Sequence, residues 1–291
     1  DGIVGTVNDF GVRGDSPTHP ELLDWLASHL IQENWSRKQL IKTILMSEAY
    51  QRSSVHRAEL ADLDPTNKLL YRQNRFRVEA EIIRDLYLSA SGTLEPRIGG
   101  PSVFPPLPAN VASLSYANNF KWGNSDWNSR PDRPHGVAPK DDIYRRGMYT
   151  FFKRTAAHPN LLTFDCPDSN TTCVDRGTSN TPLQALQTLN NNVFVDSSRA
   201  LANRILNDST LTSDKDRINH LFRLCVARPP SADEVLIMNQ LLIDSTDYFK
   251  THPEESKELA NAEEESLALK SAPWINVART VMNLDEFMTR E

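Results

Sequence analysis

The sequence predicts a mainly α protein, with helical hairpins and bundle-like packing around a loop-rich centre and one or two short β-strands. Three observations carry this. Four stretches have Ser or Thr followed three residues on by Glu or Gln, a pattern that starts helices by satisfying orphan backbone donors: Thr18 to Glu21, Ser36 to Gln39, Thr181 to Gln184 and Ser231 to Glu234. Apolar residues then recur at helical spacing. Only Gly147 to Lys153, GMYTFFK, reads convincingly as a strand.

Residues 1 to 17 are broken by glycines at 2, 5, 11 and 14 and by Pro17, and read as a loop. Leu22, Leu23, Leu26 and Leu30 stripe the first helix, which ends at Asn34 and Trp35. Leu40, Ile41, Ile44 and Leu45 stripe the second, and the short turn between makes an αα-hairpin. Lys68 to Tyr71 reads as a short helical turn. A longer helix presents Val78, Ile82, Ile83, Leu86 and Tyr87 up to a stop at Ser91-Gly92. Its polar side, including Glu81, Arg84 and Asp85, reads as a solvated face. Five of the 18 prolines fall between Pro96 and Pro108, within an irregular stretch that also holds Trp122 and Trp127.

The centre of the chain is Phe164 to Asn192. Its loop is too polar for an apolar core unless every group is paired. Thr181 caps the following helix, with Leu183, Leu186 and Leu189 expected inward and the Asn190 to Asn192 run as a break. Further helices are expected over Asp196 to Leu206, over Asp214 to Ala227, and from Ser231, with Val235, Leu236, Met238, Leu241 and Leu242 as the last one's stripe. Residues 253 to 266 look weakly packed. The last helix, Pro273 to Met288, presents Trp274, Val277, Val281, Leu284 and Phe287.

The 291 residues divide into an N-terminal helical lobe (1–95), an irregular Pro/Trp-rich region (96–146) and a C-terminal lobe (147–291), together forming one domain. A net charge of −6 argues against nucleic acid as a partner. No apolar run is long enough to span a bilayer. Cys166, Cys173 and Cys225 give no disulfide framework, and Cys166 and Cys173 are expected to be free thiols.

Five chemistries can be weighed on this sequence. Asp165, Asp168 and Asn170 beside Cys173 could form a cation loop, but they lack calcium-loop spacing. Asp and Asn in such loops more often make turns and caps. Cys173 as a nucleophile has no histidine placed beside it. Paired carboxylates drawn from Asp9, Asp15, Asp165 and Asp168 could serve a glycosidase. Arg13, Arg145, Arg146, Arg154 and Arg176 could bind a carboxylate or sulfate, or could instead fasten irregular backbone. No nucleophile elbow supports a serine triad. The candidate site is therefore Asp165, Asp168, Asn170, Cys173 and Arg176, with Arg13, Arg154, Trp122 and Trp127 as anion or glycan contacts. No catalytic residue and no metal ligand is assigned.

Several runs, taken together, carry a family resemblance. They are TVNDFGVRGDSPTHPELLDWLA (6–27), GGPSVFPP (99–106), YRRGMYTFFKRT (144–155), FDCPD with the later Cys, Arg and TPLQAL (164–186), and ARPPSADE (227–234). The chain resembles the C-terminal domain of unknown function of large planctomycete secreted proteins. There it commonly follows a second uncharacterised domain and, further upstream, a cytochrome c-like domain. The resemblance implies a non-catalytic binding or scaffolding module of a secreted, periplasmic or cell-surface protein. It implies that haem sits in a separate upstream domain and that the same polypeptide's upstream domains are the partners. A glycan is a further candidate partner. The rival is an enzyme or binding domain acting on sulfated polysaccharide. The family domain usually begins some tens of residues earlier, and the start DGIVG, without Met, reads as a cut from a longer protein. Two departures stand out: Cys166 replaces a residue that is often small, and Asn192 one that is often Pro.

Overall fold

The computed structural model describes residues 2–9, 11–105, 143–152, 157–169 and 171–290. It is mainly α, with one two-stranded pairing among the described residues. The chain divides into two units. The smaller holds Asp1–Arg77, Thr172–Arg176 and Thr289–Glu291; the larger holds Val78–Thr171 and Gly177–Met288.

In the smaller unit, α1 (Pro20–Gln32) and α2 (Arg37–Leu45) form the expected hairpin. Asn34 and Trp35 both adopt positive φ, and the Trp35 N–H donates to Leu30 O at 2.8 Å, closing the turn. Ser36 caps α2 by accepting from Gln39 N–H. Thr18 does not cap α1, contrary to expectation. His19 occupies the cap position, and the Thr18 hydroxyl donates to Ile3 O at 3.2 Å, fastening the N-terminal loop. α3 (Ala58–Ala61) follows. Residues 68 to 71 are turn rather than helix, because the Asp64 carboxylate takes the Lys68 and Leu69 N–H groups at 2.9 and 2.7 Å. β1 (Phe76–Arg77) pairs antiparallel with β2 (Thr289–Arg290).

The larger unit contains α4 (Ala80–Ser91), α5 (Pro159–Thr163), α6 (Pro182–Asn190), α7 (Asn192–Leu206), α8 (Asp214–Val226), α9 (Ala232–Thr251), α10 (Pro253–Ala260), α11 (Glu265–Met282) and α12 (Asp285–Met288). α11 is its axis, packing against α7, α9 and α10. It begins eight residues before the expected Pro273, which lies buried inside it. Ala272, Val277, Ala278 and Val281 are sealed from solvent, so the helix is buried round most of its circumference. The Tyr87 ring packs on Phe194 and Phe287, and its hydroxyl donates to Met282 O at 2.7 Å.

Residues 253 to 260 are not weakly packed. They form α10, whose Ser256 is fully buried, and Arg199 donates to the carbonyls of Glu258 and Leu259 at its C-terminal end. Arg204 treats α4 in the same way through Ala90 O, and Arg279 treats α6 through Leu189 O. Helix C-termini expose four unsatisfied carbonyls and a partial negative charge, which these guanidinium groups complement.

GMYTFFK is not a strand over its described residues. Gly147–Tyr149 is a 3-10 turn, and Thr150 makes only an isolated bridge with Val103. In α9, Met238 and Leu242 are buried as expected, but Leu236 is 67% exposed. In α6 the expected orientation fails for Leu183 and Leu186, while Leu189 is half-buried. Gln184 and Thr188 are buried, whereas Leu183 and Leu186 are 61% and 56% exposed. The reason is the hydrogen-bond demand of the loop beneath the helix.

Candidate functional site

Asp165 sits at positive φ immediately after α5. Its carboxylate accepts from Ser179 N–H at 2.7 Å, from the Ser179 hydroxyl at 2.8 Å and from Gln184 Nε2 at 3.3 Å. Gln184, 1% exposed, also donates to Thr163 O at 2.9 Å. The loop therefore closes on its own carboxylate, and turning a leucine inward in place of Gln184 would strand those acceptors. Thr181 and Gln184 complete the reciprocal cap of α6.

The other members of the proposed central-loop site divide as follows. Asp168 is exposed and belongs with Asp165 in the larger unit. Cys173 and Arg176 belong to the smaller unit. The Cys173 thiol is exposed and donates to Asp175 O at 3.1 Å, and all three cysteines are free thiols. Burial pushes the Cys225 thiol up to about 12, which removes it as a thiolate nucleophile. Arg13 is exposed at the end of a short 3-10 turn, Gly11–Arg13. Asn170, Arg154, Trp122 and Trp127 lie outside the described residues. No group of three or more His, Cys, Asp or Glu that could hold a metal occurs among the described residues.

The polar face of α4 is not solvated, as expected from sequence, but is the anchor for the YRRG run. Arg84 is 7% and Asp85 9% exposed. Asp85 accepts from Arg146 Nε at 2.9 Å and from Gly147 N–H at 2.6 Å. At Gly147 a Cβ would lie 2.4 Å from Glu81 O, so only glycine can approach α4 this closely. Arg145, 1% exposed, donates to Arg97 O and Gly99 O at 3.1 and 2.7 Å, with its guanidinium 3.9 Å above the Tyr149 ring. The Gly99 N–H donates to the Tyr149 hydroxyl at 2.6 Å, and Val103 exchanges backbone bonds with Tyr149 and Phe151 at 2.8 Å each. The GGPSVF and YRRGMYTF runs are thus two halves of one fastening.

A third motif has a similar role. Arg228 of ARPPSADE holds both Glu234 oxygens at 2.8 Å and also grips Glu286, at 2.8 and 2.6 Å. Its hydrogen bonds, with lesser help from Ser231, hold the Glu234 carboxyl down at about 2.

The larger unit also encloses a cavity of about 500 Å³ that the sequence did not flag. Its walls are Arg84 and Leu88 of α4, residues 143 and 144, His158 and Asn160 at the start of α5, and Gln187 to Ala200 across the α6–α7 junction. The asparagine run breaks the helix as expected. Asn191 is the C-cap of α6 and the N-cap of α7, and its side chain takes Val193 N–H. Asn191 and Asn160 exchange amide hydrogen bonds at 3.0 and 3.2 Å. Read as a helix break, the run gave no sign that it also lines a chamber. Arg84 donates to Ile143 O, but its Nε is buried with no hydrogen-bond partner. Burial pushes its pKa down to about 10, although Asp85 beside it favours the charge. A second cavity, about 450 Å³, lies in the smaller unit between the Gly2 to Leu22 stretch and residues 66 to 74.

A family model described as PSD1, protein of unknown function (DUF1553), matches residues 1–242. No curated protein and no solved structure matches the chain.

Proposed function

We propose that this chain, which belongs to the PSD1 family of unknown function, acts as a non-catalytic binding or scaffolding module of a large secreted protein. The partners would be upstream domains of the same polypeptide, one of them bearing the haem that the family resemblance implies. The observation that supports this is how the motif residues are spent. Asp85 and Arg146, Arg145, Asp165 and Arg228 each hold the chain's own backbone or side chains. A catalytic carboxylate needs an open coordination sphere facing a substrate. Asp165 instead has its oxygens filled by Ser179 and Gln184.

The test is incubation of the chain with sulfated polysaccharides, scoring new reducing ends, alongside the Asp165→Asn variant. The module reading expects no release from either protein and a lowered melting temperature for the variant. Release by the wild-type chain that disappears in a variant of unchanged melting temperature would overturn it.

A further inference from the structure

The cavity beside Arg84 has a composition that its role in packing does not explain. One wall is the N-terminal end of α7, a fifteen-residue helix whose first turn carries partial positive charge. Another wall residue is Arg84, 7% exposed, whose Nη2 donates to Ile143 O and whose buried Nε lacks a hydrogen-bond partner. The neighbouring carboxylate, Asp85, is already engaged by Arg146 and by Gly147 N–H. A buried charge without a hydrogen-bonded counter-ion is costly, and a ligand carboxylate would supply one. Much of the remaining polar lining is amide, alongside Thr93, Tyr144, His158, Asp196 and Ser197. The oxygens of Asn160 and Asn191 are filled by one another's amides, by Gln187 and by Val193 N–H, so these two offer N–H donors, whereas Asn190 and Asn192 offer an acceptor as well; together they suit hydroxyl groups.

We infer that this cavity is a binding site for a small, hydroxyl-rich carboxylate of about the size of one uronic acid. A planar guanidinium matches a planar carboxylate, and the asparagine amides match the hydroxyls of the ligand body. A doubly charged phosphate is a worse fit. Among the described residues the cavity supplies one guanidinium, and Asp196, another wall residue, is paired with Arg199 at 2.7 Å. A volume of about 500 Å³ lies within the range of small-molecule sites and exceeds the needs of a simple ion. Tyr144 and His158 are further titratable wall residues; the His158 Nδ1 accepts from Asn160 N–H at 3.3 Å.

The inference deepens the reading of the chain as a binding module and rests on it. The test is calorimetric titration of the whole chain with sodium D-glucuronate, D-glucose and sodium acetate. Saturable binding of glucuronate is expected, with glucose and acetate each at least tenfold weaker. Ala200→Leu, which fills the chamber and leaves Arg84 in place, should keep the melting temperature and weaken glucuronate at least tenfold. Asn190→Asp, at an exposed wall position, should weaken glucuronate more than glucose. Arg84→Lys should weaken it too, and the two other variants decide the matter if that one does not fold. Absence of glucuronate binding, or binding indifferent to both Ala200→Leu and Asn190→Asp, would overturn the site. Chemical conversion of bound glucuronate, followed by mass spectrometry, would leave the site standing and overturn the non-catalytic reading instead.

Discussion

The two units of this chain use the same sequence signal to different ends. In the smaller unit, α1 and α2 have regular apolar stripes and α2 has a side-chain cap, yet none of the residues of α1, α2 or α3 is buried. Trp25 is 51% and Trp35 70% exposed. That unit is held by side chains gripping backbone, as Thr6 does at Asp9 O and Asp64 does at two amides. In the larger unit, α4, α7, α8 and α11 bury a continuous apolar core, and polar groups are buried with them. The difference teaches that an amphipathic stripe specifies a helix and a face, whereas burial depends on what the rest of the chain brings to that face.

That contrast can be broken most forcefully in the core. Phe222→Ala in α8, where the ring is 1% exposed, should cost about 3–5 kcal/mol by denaturant unfolding. Leu23→Ala in α1, at 40% exposure, should cost less than about 1 kcal/mol. Equal losses would mean that the hairpin stripe is as well packed as the core. Next comes the buried polar group. Gln184→Leu restores the leucine that amphipathicity favours but removes the donor to Thr163 O and Asp165, and should destabilise by about 1–3 kcal/mol. A stabilised variant would show that the loop does not depend on that amide.

Smaller still is the cap. Thr181→Ala should cost about 1 kcal/mol, because it removes the acceptor for Gln184 N–H. Finally, acid should act on the ARPPSADE fastening. The Glu234 carboxyl is lowered from its ordinary 4.5 to about 2 in the folded chain. Its contribution is therefore complete above about pH 4.5 and is lost as pH falls towards 2. The melting temperature of Glu234→Gln should fall less than wild type over that window. Parallel acid profiles would remove Arg228 from the account.

Much of the fold was legible because helix starts and breaks are local. The Thr181 cap, the Asn191 break and the hairpin turn at Asn34 and Trp35 each follow from a few adjacent residues. What was hidden depends on distant partners. Nothing local says that Asp85 will meet Gly147, 62 positions away, so the α4 face read as solvated. GMYTFFK read as a strand because its residues favour extended backbone, but Gly147 docks against Glu81 and turns the chain into a 3-10 turn. The motif arginines could be read from sequence either as ligand contacts or as fasteners of irregular backbone; Arg145 and Arg146 are fasteners, with partners on the Gly99 loop and on α4. The cavity was illegible, since its described walls come from five separated stretches.

The central claim is that the motif residues fasten the chain to itself. Asp85→Asn tests it most directly, because that carboxylate joins α4 to both Arg146 and Gly147 N–H. Thermal unfolding and amide hydrogen exchange of the variant should show a lowered melting temperature, with faster exchange at Gly147 and Tyr149. An unchanged melting temperature and unchanged protection at those two amides would contradict the claim.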